Sequence, residues 1–195
     1  MNFLAHARLS FGEKEILVGN MISDFVKGKA QYDFIPGIRK GIIHHRLIDD
    51  FTDNHISVKK AKEIFKADYR LYSSPLVDIV FDHFVAGDTK LFATGLKNFT
   101  EDVYQVLDDY AAHLPERFIP VFGYMKTENW LLGYQHKAGI EKSIRGLVRR
   151  ATYLDDSNTA IILFNENYNE LKEHYSMFIE DVKQFAKEQL DALLT

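Results

Sequence analysis

The chain has 195 residues and no cysteine, which excludes a disulfide framework, a thiolate zinc site and a cysteine nucleophile. A net charge of −4 argues against a general nucleic-acid binder, whose surface would be basic throughout. No run approaches the ~18 uncharged apolar residues of a membrane span, and His6 and Arg8 interrupt the apolar opening too early for a signal peptide, so a soluble, cytoplasmic protein is expected.

With 46% apolar residues the chain can enclose a core within one domain, residues 1–195. It reads as helix after helix. An apolar helix is predicted from Glu13 to Val26, ended by Gly28, and Pro36-Gly37 introduces the next, which carries His45 and Asp49. Ser57 can cap a helix through Leu71, and Ser74 before Pro75 is a start signal for one carrying Asp78 and Asp82. Helices follow from Thr100 to Leu114, from Pro115, from Glu128 to Gln135 and from Glu141 to Tyr153, with a long terminal helix from Ser157 toward Leu194. Its apolar positions, among them Ile161, Phe164, Leu171, Tyr175, Phe178 and Val182, recur at three and four, which is core packing. Alternating runs bounded by turns are scarce, so the fold class is all-α, a single compact multi-helix domain.

Chemistry concentrates in four segments. His44 to Asp53 packs imidazoles, a guanidinium and carboxylates into one stretch, where His45 and Asp49, four apart, share a helical face. Asp78, Asp82 and His83 lie in Val77 to Phe84, otherwise almost wholly apolar, and burying carboxylates there is costly without a cation or donors. Asp24 and His6 lie in two further apolar segments. One inward His or Asp is ordinarily a satisfied core residue; four segments together have the composition of a metal site assembled between helices.

The opening Met-Asn-Phe-Leu-Ala-His, then Gly19-Asn20 with Asp24-Phe25, His45-Arg46 with Ile48-Asp49 and Thr52-Asp53, and Asp82-His83-Phe84, resemble the acyl carrier protein phosphodiesterases. Gly146 with Arg149-Arg150 is similar to the family's later basic segment. The resemblance implies a hydrolase that removes the 4′-phosphopantetheine arm from holo acyl carrier protein. It also implies an all-helical fold similar to the HD-domain phosphohydrolases, metalloenzymes named for an adjacent His-Asp pair. This sequence has no adjacent His-Asp; it has Asp82-His83 in reversed order and His45 with Asp49 at one-turn spacing. The superfamily's ligand assignment therefore does not transfer residue by residue.

For that substrate a divalent ion would bind a phosphoryl oxygen and acidify its water. His45, Asp49, Asp24 and Asp82 are the expected metal ligands, with His6 and His83 as alternates or supporting groups. Mixed nitrogen and oxygen ligation favours manganese over magnesium, iron or zinc. Arg46 is the candidate phosphate clamp, and His44 or His83 the candidate acid for the departing serine oxygen. Lys142, Arg145 and Arg149, with Arg150 beside them, form a cationic stripe that could orient an acidic carrier protein, and Lys59, Lys62, Lys66 and Arg70 form a second. No nucleic acid or membrane partner is expected. Two alternatives stand beside this reading: a metal phosphohydrolase acting on a nucleotide or other small phosphoester, and a non-catalytic helical module that binds acyl carrier protein.

Overall fold

Proline at the first turn and glycine at the crossings decide how the helices that carry the chemistry begin and meet. The computed structural model describes residues 1–195 and contains α-helices and 3₁₀ turns with no strand. The helices are α1 (Phe3–Arg8), α2 (Lys14–Ile22), α3 (Pro36–Asn54), α4 (Ile56–Tyr69), α5 (Ser73–Gly87) and α6 (Leu96–Asp109). They continue as α7 (Ile119–Thr127), α8 (Trp130–Gly133), α9 (Lys137–Arg150), α10 (Asn158–Glu166) and α11 (Tyr168–Leu194). One core of 46 buried residues runs through them, and no helix is long and apolar enough to cross a membrane.

Pro36 opens α3, where its missing N–H costs nothing. Antiparallel to it, α2 approaches so closely that a Cβ on Gly19 would stand 2.3 Å from the Ile38 carbonyl oxygen, and one on Gly41 2.5 Å from that of Ile16. Only glycine fits at either position, and the contact sets Asn20 against His44 and His45. The helix expected through Val26 ends at Ile22 and tightens into a 3₁₀ turn, Ser23–Phe25, which turns Asp24 toward α3.

Several boundaries differ from expectation for identifiable reasons. His55, not Ser57, caps α4, its ring nitrogen accepting the Ser57 N–H. Asn129 adopts a left-handed conformation (φ 45°), reducing the Glu128–Gln135 helix to the single turn α8. The terminal helix is two helices broken at Asn167, whose side chain donates to the Leu163 carbonyl and competes with the backbone ladder. Asp156 accepts the Asn158 N–H at 2.7 Å and starts α10.

Candidate metal centre

Buried charge positions the first element of the site. Asp82 on α5 is fully buried and accepts the amides of Asn2, Leu4 and Ala5 at 3.3, 2.9 and 3.2 Å. A carboxylate at the positive end of α1 satisfies amides that have no partner within the helix. Burial pushes the Asp82 pKa up to about 7 against the opposing pull of these amides. Asp82 thereby holds α1 in place, and α1 presents His6.

The His6 ring stacks on the His45 ring of α3, with centroids 3.9 Å apart and planes 16° from parallel. Asp49, one turn beyond His45, reaches both: His6 Nε2 lies 3.0 Å from Oδ1 and His45 Nε2 lies 3.0 Å from Oδ2. Asp24 adds a second carboxylate 3.4 Å from His45 Nε2. Ligand atoms of His6, His45 and Asp49 lie within 4.8 Å of one another, close enough to share one ion. The imidazole side chains are 2% and 7% exposed, the Asp49 and Asp24 carboxylates 41% and 70%, so the site opens on its acidic side.

The tautomer of His45 is fixed from behind. Its Nδ1–H donates to the Asn20 carbonyl at 2.8 Å, which leaves Nε2 facing the carboxylates. That buried nitrogen makes no aligned hydrogen bond despite its short distances, and neither does His6 Nδ1. Neutral His45 would present an Nε2 lone pair beside two carboxylates, a donor set that a divalent cation would satisfy, so the residues fit such a group.

Without a cation, one proton serves the cluster. Burial alone would lower the His45 pKa, but the Asp24 and Asp49 carboxylates, 3.4 and 3.0 Å from Nε2, override it and push the pKa up to about 9. Burial and the neighbouring His45 cation bring His6 down to about 4. Burial opposes the ionised form of Asp49, yet the two imidazoles hold its carboxyl far below the usual carboxylate range, and the adjacent His45 imidazole lowers Asp24.

The remaining sequence candidates stand elsewhere. His44 is wholly buried, with Nε2–H donating to the Ala186 carbonyl at 2.8 Å and Nδ1 facing the Asn20 amide nitrogen at 3.3 Å, so it ties α2, α3 and α11 together. His83 donates to the Tyr134 carbonyl at 2.7 Å and accepts from the Tyr168 hydroxyl at 3.0 Å. Arg46 donates to the Val26 carbonyl at 2.9 Å and to Gln31 at 3.1 Å, pinning the segment that follows Asp24. Asp78 pairs with the Met1 amine at 2.9 Å, and that amine lies 3.8 Å from Asp49. Lys142, Arg145, Arg149 and Arg150 line a separate groove. The supporting contact that sequence reasoning missed, the Asn20 carbonyl, is a backbone group and leaves no mark on residue identity.

A family model described as acyl carrier protein phosphodiesterase matches residues 1–182. Proteins named acyl carrier protein phosphodiesterase from Yersinia pestis and Escherichia coli are each 32% identical to the chain, over 91% of it and 93% of their own length. One of the same name from Serratia proteamaculans is 28% identical over 97% of the chain and 99% of its own length. No solved structure matches. Asp82, expected among the ligands, instead has both oxygens on the amides at the start of α1. The convergence of His6, Asp24, His45 and Asp49 thus coincides with a match along nearly the whole sequence: the chain belongs to the acyl carrier protein phosphodiesterase family.

Proposed function

We propose that the chain hydrolyses the phosphodiester joining 4′-phosphopantetheine to a serine of holo acyl carrier protein, using a divalent cation held by His6, His45, Asp49 and Asp24. Family membership supports a phosphodiester hydrolase. The observation that carries the metal dependence is the pair of stacked, buried imidazoles facing two solvent-side carboxylates, with an unaligned His45 Nε2 at their centre.

A bound divalent cation supplies charge neutralisation at a phosphoryl oxygen and acidifies water. The residues supply the rest. The Asn20 carbonyl keeps the proton of neutral His45 on Nδ1, and Asp82 holds α1 so that His6 meets its stacking partner. The exposed edge formed by Asp24 and Asp49 admits the diester, while His6 and His45 close the inner side against water. Mixed nitrogen and oxygen donors favour manganese, with magnesium, iron and zinc also compatible. Arg46 is assigned to holding Asp24 in place, since its guanidinium engages Val26 and Gln31. His44 and His83, bonded within the core, are left out of the reaction. Kinship with the HD-domain phosphohydrolases belongs to the same reading, supported by inward His and Asp from separate helices.

The test uses holo acyl carrier protein with Mn²⁺ in ¹⁸O-labelled water. Apo carrier protein and 4′-phosphopantetheine should appear together, the label should enter the released phosphate ester, and chelator should stop the reaction. Titration of Mn²⁺ followed by electron paramagnetic resonance should show a site that Asp49→Ala or His45→Ala removes. Absence of turnover with every divalent ion, or a site indifferent to both substitutions, overturns the proposal.

A further inference from the structure

The two cationic stripes seen in the sequence are not equivalent once folded. In the stripe on α4, Lys62 is paired with Asp53 at 2.7 Å and Lys66 with Glu63 at 2.6 Å, so half of its charge is spent within the chain. On α9 only Lys142 is paired, with Glu128. Arg145 donates to the neutral Asn158 and Ser157 side chains at 3.2 and 3.5 Å, and Arg149 and Arg150 form no ion pair. Three guanidiniums therefore face solvent without a carboxylate.

They line a groove of about 400 Å³ whose other wall is aromatic. Tyr124 is 45% exposed and stands edge-on to Trp130, centroids 5.9 Å apart. Trp130 in turn meets Phe3 edge-on at 5.9 Å, three residues before His6 on α1. Phe3 packs on Phe118 at 6.4 Å, and Phe118 on Phe25 beside Asp24 at 5.1 Å. A chain of packed aromatic rings thus runs through the core from the groove wall to the residues beside His6 and Asp24.

The spacing of the cations limits what fits. Arg145 and Arg149, one turn apart on α9, are separated by about 6 Å along the axis. Guanidiniums at that spacing can grip carboxylates presented one turn apart on a facing protein surface, each in a paired, charge-assisted contact. Glu128 is spent on Lys142, and Glu141 is the one unpaired carboxylate lining the groove, so the surface keeps a positive excess on a chain of net charge −4. From these observations we infer that the groove between Tyr124, Trp130 and α9 docks an acidic face of the protein substrate, with carboxylates on Arg145 and Arg149 and an apolar side chain against the aromatic wall. That identity of the occupant rests on the phosphodiesterase reading; its acidity follows from the unpaired guanidiniums of the groove.

Trp130 is the only tryptophan, so its emission reports the groove directly, whatever the chemistry. Titration with holo or apo acyl carrier protein should change Trp130 emission. Arg145→Glu with Arg149→Glu, both at exposed positions, should weaken that binding at least tenfold and flatten its salt dependence. The same variant should hydrolyse bis(p-nitrophenyl) phosphate at the wild-type rate, while Lys62→Glu with Lys66→Glu should bind the carrier protein within twofold of wild type. Reversing acidic residues of the carrier protein to Lys should restore binding to the Arg145→Glu/Arg149→Glu variant. Unchanged emission, or wild-type affinity of that variant, overturns the docking surface. A charge-dependent emission change without turnover would sustain it and reject the reaction instead.

Discussion

Substituting Gly41 by alanine sets two physical effects against each other. Alanine is about 1 kcal/mol better than glycine within a helix, so propensity alone predicts stabilisation. Packing predicts the reverse, because the new Cβ would stand 2.5 Å from the Ile16 carbonyl oxygen and 2.9 Å from the Gly19 and Ile16 Cα atoms, all backbone. Reaching an ordinary C···O contact of about 3.3 Å requires α2 and α3 to part by about 0.8 Å. The same displacement would stretch the His45 to Asn20 bond from 2.8 Å to about 3.6 Å, outside hydrogen-bond range. Overpacking costs about 1–3 kcal/mol and the lost bond about 1 kcal/mol, which together exceed the propensity gain. A net loss of about 1–3 kcal/mol is expected in urea unfolding. Because the broken bond sets the His45 tautomer, Mn²⁺ affinity measured by calorimetry should fall about 10–100-fold. Gly123→Ala on α7, whose Cβ meets nothing within 4 Å, is the control and should hold or gain stability. If Gly41→Ala unfolds at the wild-type urea concentration and binds Mn²⁺ equally well, the helix crossing does not position the imidazole.

Asp82→Ala strips the acceptor from the buried Leu4 and Ala5 amides of α1, each worth about 1–3 kcal/mol when unpaired, and from the Asn2 amide that precedes it, so it should destabilise the metal-free protein where the exposed Asp24→Ala does not. Equal urea midpoints for the two variants would show that α1 is held by something else. Arg46→Ala should speed amide hydrogen exchange across residues 24–33 and weaken Mn²⁺ binding, with little further loss when Asp24→Asn is added; fully additive losses would separate Arg46 from Asp24. The His45 pKa, raised to about 9 from 6.5, makes its contribution to metal-free stability complete below about pH 6.5 and lost as pH rises through about 9. Thermal unfolding of chelated protein from pH 6.5 to 9.5 should show that decline, and Asp49→Asn should shrink it; an equal decline in both proteins would place its source in other groups.

The parts legible in sequence were those set by periodicity and side-chain identity. Three-and-four apolar spacing gave the helices, and the His45–Asp49 pair was visible as one face of α3 before any other residue could be placed against it. Asp82 was equally visible as a buried acid, but its partners are the amides of Asn2, Leu4 and Ala5, and backbone groups carry no sequence signal. His6 stood among the alternates because nothing local shows that α1 folds back onto α3 to stack its ring on His45. The break at Asn167 was hidden because the apolar period continues across it, while the side-chain bond to Leu163 that ends α10 is a local competition. His44 and His83 illustrate the converse: their residue type suggested proton transfer, and only the positions of Ala186, Tyr134 and Tyr168 show their protons committed to the core.

Electrostatics relates the His–Asp cluster to the groove on α9. With His45 protonated and His6 neutral, the cluster of His6, Asp24, His45 and Asp49 carries −1, two carboxylates against one imidazolium. The Met1 amine and Asp78, paired beside it, cancel. Such a centre repels a phosphodiester anion. A divalent cation that displaces the imidazolium proton brings the count to zero, −2 from the carboxylates and +2 from the ion, which removes the repulsion without creating a net attraction. Long-range attraction must then come from elsewhere on a chain whose net charge is −4. The unpaired guanidiniums of Arg145, Arg149 and Arg150 are a local positive surface in the groove that Trp130 lines. A protein substrate held there would deliver its phosphodiester to a neutral site, so recognition and chemistry can be separated in position. That separation is why charge reversal on α9 should slow capture of the carrier protein yet leave a small neutral-flanked diester untouched.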